Sequence, residues 1–263
     1  MKADQVRRLL EPEIRFSAGD TEVAFFPDEG WIEGRALVAL LIEEAMNSGL
    51  KVHANAPVTD IIVDHDQVRE IVHSDNRHVA VDAVVNAAGP DARRIARYTG
   101  RDLPMRDEPG LVARLWCEEV PVQRAMHAPR VEIRPDGENA VVLHSREIDA
   151  KIDANASEKQ LAAELCALGA TVVPALDQAE LVSQKIAWRP IPGDGFPSVG
   201  GVEGVAGYYE AVTHSGVTLG PIIGRCLGQE IAEGKIDPLV SSYRPDRFSQ
   251  LRSILAYLRP PGE

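Results

Sequence analysis

The stretch Gly207 to Gly234, GYYEAVTHSGVTLGPIIGRCLGQEIAEG, constrains the fold of this chain more than any other. Tyr208 to Val212 is short, aromatic and apolar, as a buried strand requires, and Thr213-His214-Ser215-Gly216 is a polar loop with a glycine. From Val217 to Glu233 the apolar residues Leu219, Ile222, Ile223, Leu227 and Ile231 recur at helical spacing, and Gly234 ends the helix. A strand that passes through a glycine loop into a helix presents unpaired N–H groups and the positive end of the helix dipole. A phosphate fits there, and so does the carbonyl edge of a flavin. The same pattern also serves as a plain strand-to-helix turn of an α/β sheet.

A second segment has the same character. Val81-Asp82-Ala83-Val84-Val85-Asn86-Ala87-Ala88-Gly89-Pro90 is a nearly unbroken apolar strand, of the kind buried on both faces of a parallel sheet. It ends in Ala87, Ala88 and Gly89, which leave the backbone bare for a ligand or for a neighbouring element, and Pro90 opens a helix over 91–98. Upstream, residues 3–10 read as a short amphipathic helix and Val23 to Phe26 as a strand. Arg35 to Gly49 reads as a helix with one apolar face, and 51–54 and 57–64 as strands, the latter beginning a meander through 68–73 and 79–81.

Residues 110–145 alternate as antiparallel strands separated by turns. Ser157 caps a helix to Leu168 that Gly169 closes, and Glu180 to Trp188 returns as a strand. This block is expected to form a second domain, 106–185. The Pro- and Gly-rich run Arg189 to Gly200 is a shaped loop, and Arg189 stands where the strand enters it. There a guanidinium could grip a carboxylate with two parallel hydrogen bonds, or form an ordinary surface ion pair. An apolar helix through Leu258 closes the chain.

The charge balance excludes several functions. A net charge of -12 gives no basic face for nucleic acid or an anionic membrane. No apolar run reaches bilayer length. Cys117, Cys166 and Cys226 are odd in number and widely spaced, which points away from a disulfide framework or a metal site and toward a reducing, cytoplasmic setting.

Taken in order, FPDEGWI, VVNAAGP, IRPDG, WRPIPGDGFPSVG, and THSGVTLGP with YRPDRF resemble segments of the D-amino-acid-oxidase-like family of FAD-dependent oxidoreductases, which includes glycine oxidase and sarcosine oxidase. The resemblance implies a mixed α/β fold: a partial Rossmann-like FAD domain (1–105 and 186–263) interleaved with an antiparallel substrate domain (106–185). It further implies non-covalent FAD, with Val58 near the adenine, Ala87, Ala88 and Gly89 along the dinucleotide, and Gly216, Val217 and Thr218 at the flavin pyrimidine. Arg189 matches the arginine that in several family members binds the substrate carboxylate, and His214 lies in a loop from which it could tune the flavin, touch substrate or make a purely structural hydrogen bond. The implied reaction is oxidation of the C–N bond of an amino acid or related amine.

The family's GxGxxG turn, which receives the cofactor diphosphate at a helix N-terminus, does not occur in this sequence. The expectation is therefore that an N-terminal βαβ segment is missing, and that strands 83–87 and 208–212 are left with unpaired edges where its strand belongs. A complementary chain or a second copy would then supply the phosphate site. The competing reading is a catalytically silent remnant or interaction subunit.

Overall fold

The computed structural model describes residues 1–17, 19, 22–153 and 155–248. The expected terminal helix lies outside the described residues. In chain order the helices are α1 (Ala3–Leu9), α2 (Gly34–Asn47), α3 (Ala92–Arg97), α4 (Arg146–Asp149), α5 (Glu158–Val172) and α6 (Gly216–Glu233). The strands are β1 (Val58–Asp64), β2 (Gln67–His73), β3 (His78–Ala80), β4 (Val84–Asn86), β5 (Pro109–Trp116), β6 (Met126–His127), β7 (Glu132–Pro135), β8 (Ala140–His144), β9 (Glu180–Trp188), β10 (Ser198–Gly201) and β11 (Tyr208–Val212). Helices and sheets are mixed, as the sequence implies. The chain divides into two compact units, Met1–Leu50 with Pro109–Trp188 and Lys51–Glu108 with Arg189–Glu263.

The first unit is built on an antiparallel sheet in the order β6-β7-β8-β5-β9. Alternation along the strands sends Leu111, Ala113, Leu115, Ile133 and Leu143 to one face, where they pack with Leu161, Ala162, Leu165 and Leu168 of α5. Ser157 caps α5 by accepting a hydrogen bond from Gln160 N. Gly169 does not end this helix. A Cβ there would lie 2.8 Å from Leu143 Cδ1, so the glycine marks where helix and sheet come closest, and the helix continues to Val172.

Residues 1–50 belong to this unit and not with 51–105, contrary to the expected division. α1 buries Ala3 and Val6, and the buried Glu11 carboxylate accepts from Gln123 N at 3.0 Å and from Arg124 Nη1 at 3.4 Å. Val23 to Phe26 forms no strand; Lys2 and Glu22 make only an isolated bridge. α2 buries no residue, and Val38, Leu40, Leu41, Ile42 and Met46 are all exposed. Its apolar spacing is helical, as expected, but nothing described covers it.

On the sheet face opposite α5, His144 bridges two acids. Its Nε2 is 2.8 Å from Asp149 Oδ2 on α4, and its Nδ1 is 3.1 Å from Glu132 Oε2 on β7. The other Asp149 oxygen accepts from Leu111 N at 2.8 Å, which ties α4 to β5. The Asp149 hydrogen bond raises the His144 pKa above its usual value of 6.5; burial opposes the shift, and Glu132 adds to it. A pKa raised in the folded state contributes stability that is complete below about pH 6.5 and is lost as pH climbs through the folded value.

The second unit holds two three-stranded sheets, β1-β2-β3 and β10-β11-β4. β11 is central: it runs antiparallel to β10 and parallel to β4, so both of its edges are paired, contrary to expectation. In this sheet β4 pairs with no second strand among the described residues, and Val85 on it is 42% exposed, so this strand is not buried on both faces. The β10 edge is closed by side chains. Gly201 N donates to Glu230 Oε1 at 2.9 Å, and Gly201 O accepts from Arg244 Nη2 at 3.1 Å. Arg244 Nη2 also donates to Glu230 Oε1 at 2.8 Å.

Two outcomes follow from this packing. The melting temperature should fall as pH rises from 6 through the His144 transition, by the equivalent of roughly 1–3 kcal/mol, and His144→Gln should flatten that interval; a slope retained in the variant would contradict the role of His144. Gly200 has φ +118°, and a Cβ on it would collide with the Arg244 guanidinium. Gly200→Ala should therefore cost about 3 kcal/mol in urea unfolding, and an unchanged midpoint would contradict the Arg244 closure.

Candidate functional site

The parallel pair β4/β11 sets the site. Val84, Val85 and Asn86 stand opposite Tyr208, Tyr209 and Glu210, so the two strands end on one edge and their exits lie side by side. At such an edge the strands turn into helices whose N-termini face the same crevice, the place where open α/β sheets bind ligands.

The first exit is shaped by Asn86, whose side chain is buried. Its Nδ2 donates to Ala92 O and to Tyr208 Oη, both at 2.8 Å, while its Oδ1 accepts from Ala88 N at 3.3 Å. This pins the turn Ala87–Gly89 with φ +59° at Gly89, and Pro90 leads into α3. Ala87 is exposed, and nothing lies within 4 Å of where a Gly89 Cβ would be. Burial, with help from the Glu210 charge, pushes the Tyr208 phenol far above its usual range, so it serves as a neutral hydrogen-bonding group.

The second exit is the 213–215 loop. Thr213 Oγ1 accepts from Ser215 N at 3.3 Å, and Ser215 Oγ is 2.7 Å from His214 Nδ1. His214 is exposed beside the start of α6. No side chain caps this helix, and its first turn carries no acidic residue. Gly216, Val217 and Thr218 are exposed, and their amides meet no acceptor among the described residues. Gly216 has no positive φ and no protein atom near its missing Cβ, so neither strain nor crowding within the chain requires glycine there.

Val58 opens β1. It packs on the same core as Val84 and Ala88, and its carbonyl accepts from Arg94 Nη1 of α3 at 3.4 Å. Val58 and Ala88 thus share one core, and the Ala87–Gly89 and Gly216–Thr218 turns follow the paired strands β4 and β11, all within the second unit. Arg189, half-buried, begins the loop 189–197, with its N donating to Glu108 O at 2.9 Å. Gly193 N donates to Pro104 O at 2.9 Å, and Arg247 grips Asp194 through Nε at 2.6 Å and Nη2 at 3.1 Å. Burial pushes the Asp194 carboxyl up, but the Arg247 hydrogen bond outweighs it and holds the pKa below the usual range.

Sequence reading missed the group beneath the site. Glu210, fully buried, accepts from Arg101 Nε and from Ser198 Oγ, both at 2.6 Å, and Arg101 Nη2 also donates to Pro245 O at 2.6 Å. An acid inside an otherwise apolar strand is the one sequence signal that could have found it. Among the described residues no group of three or more His, Cys, Asp or Glu could hold a metal, and no helix is long and apolar enough to cross a membrane.

Fitted against a flavin dinucleotide, these residues match in part. The uncapped α6 amides suit an electron-rich carbonyl edge, and the small-residue turn admits close approach. The GxGxxG turn that would receive the diphosphate does not occur in the sequence.

The chain is similar to an opine oxidase subunit of Agrobacterium tumefaciens (strain Ach5), 25% identical over 65% of this chain and 45% of that protein. Its fold matches glycine oxidase from Bacillus cereus ATCC 14579 with a TM-score of 0.77 at 23% identity, covering 90% of this chain and 65% of that one. It also matches iminodiacetate oxidase from Chelativorans sp. BNC1 with a TM-score of 0.78 at 21% identity, covering 93% of this chain and 66% of that one. The chain therefore spans less than two thirds of the length of each of these proteins. The family model for FAD dependent oxidoreductases of the DAO type matches residues 1–230, and the chain belongs to that family.

Proposed function

We propose that this chain carries the flavin-edge and substrate portions of an FAD-dependent oxidoreductase acting on the C–N bond of an amino acid or related amine. The uncapped start of α6 beside the Ala87–Gly89 turn, on one edge of a parallel strand pair, carries the reading. FAD, when bound, supplies the two-electron acceptor for hydride leaving the carbon that bears the neutral amine, and the resulting imine is hydrolysed by water.

The chain's own residues bind and orient. The amides of Gly216, Val217 and Thr218, at the positive end of the α6 dipole, would favour negative charge at the cofactor's pyrimidine edge. Val58 and Ala87, Ala88 and Gly89 would contact the adenine and dinucleotide. Arg189 would hold the substrate carboxylate in a planar two-point contact, and His214 would adjust the α6 end of the site. No side chain need act as a base, because the amine reacts in its neutral form. The opine and iminodiacetate oxidases among the similar proteins support amines with carboxylate substituents as substrates. The three free cysteines support a cytoplasmic location.

The diphosphate site would come from a βαβ segment whose strand pairs with the open β4 edge, supplied by the same polypeptide or by a complementary chain. The open edge favours this reading over a silent remnant, since such a segment has somewhere to dock. The test is FAD titration, followed by flavin fluorescence, of the chain alone and with a family-type βαβ segment. The segment should tighten binding by about a hundredfold, about 2.8 kcal/mol. Flavin uptake absent in both cases would remove the oxidoreductase reading, and tight stoichiometric uptake by the chain alone would remove the need for the segment.

A further inference from the structure

The open face of the five-stranded sheet carries an arginine pair that the proposed reaction does not use. Arg114 on β5 and Arg134 on β7 both stand opposite Val142 of β8, so they share one rung on the face away from α5. Both converge on one acid. Arg114 Nε donates to Asp136 Oδ2 at 2.7 Å and its Nη2 to Asp136 O at 3.4 Å; Arg134 Nη1 donates to Asp136 Oδ1 at 2.9 Å and to Pro135 O at 3.0 Å. Burial pushes the Asp136 carboxyl up, but the hydrogen bonds from Arg114 and Arg134 outweigh it and keep it ionised.

Two guanidinium charges against one carboxylate leave the cluster with a net positive charge, in a protein whose overall charge is -12. The nearest acid on the adjoining rung, Glu132, is already engaged by His144. Arg134 Nε and Nη2, the side of the guanidinium that matches both oxygens of a carboxylate, meet no acceptor among the described residues, and neither does Arg114 Nη1. These side chains are 34% and 40% exposed, which leaves them reachable yet partly desolvated, where a charge-assisted hydrogen bond gains more than at a fully wet surface. Trp116, two residues beyond Arg114 on the same face, and Val142 between the arginines give an apolar floor beside the charges.

We propose that the open side of Arg134, backed by Arg114, is a binding site for a small carboxylate ligand. This does not rest on the oxidoreductase reading.

The probe is malonate, titrated at constant ionic strength into the full chain while the Nε–H signals of Arg114 and Arg134 are followed by nitrogen-edited NMR. Both signals should move saturably. In Arg134→Gln the Arg114 response should weaken by about tenfold or more, and Arg134→Lys should lose it comparably, because an ammonium has no fork. Drift that never saturates and equals that with chloride, or an undiminished Arg114 response in both variants, would overturn the carboxylate site.

Discussion

The buried carboxylate of Glu210 is the constraint on which the second unit depends. A charged group inside a sheet is tolerated only when paired and hydrogen-bonded, and removing one partner of such a pair costs about 3–5 kcal/mol. Arg101 and Ser198 meet that requirement, and in doing so they fix β11 against β10 and against the 101–103 segment. On the neighbouring positions, Asn86 and Tyr208 join β4 to β11 and shape the turn at 87–89. Arg101 also reaches Pro245, which anchors the segment that carries Arg244 and Arg247. Those two arginines then close the β10 edge through Glu230 and hold the 189–197 loop through Asp194. One ion pair thus organises a strand trio, a helix and the loop headed by Arg189.

Elements whose pattern is local were legible in the sequence. β9 and β11 have the expected limits, and α6 begins one residue before Val217, because aromatic and apolar strands bounded by glycine loops leave little choice of register. Features set by a distant partner were not legible. Gly169 looked like a helix stop, but its role is contact with Leu143, which only the folded sheet supplies. Val81 to Pro90 looked doubly buried because its composition is apolar, yet β4 is three residues long and, among the described residues, has a strand neighbour on one side only.

The candidate site divides the same way. The motifs placed Ala87–Gly89 and Gly216–Thr218 in glycine turns after strands, and the parallel register brings those turns to a single edge. The Arg101–Glu210 pair beneath them joins residues 109 positions apart, and no spacing rule connects such a pair. Likewise YRPDRF read as a signature, while its physical work, clamping α6, β10 and the 189–197 loop, emerges only when the partners of Arg244 and Arg247 are known. That segment serves the scaffold of the site more than its chemistry.

The central proposal is that the β4 edge would receive the strand that completes a dinucleotide site. Val84 N donates to Gly207 O at 2.8 Å, so alternation along the strand turns the Val85 N–H to the open edge. Amide hydrogen exchange at Val85, resolved by NMR, tests this most directly. The account predicts rapid exchange in the chain alone and strong protection once a βαβ segment and FAD are both bound. A Val85 amide already protected in the monomeric chain, or one that still exchanges rapidly in the flavin-loaded complex, would contradict it.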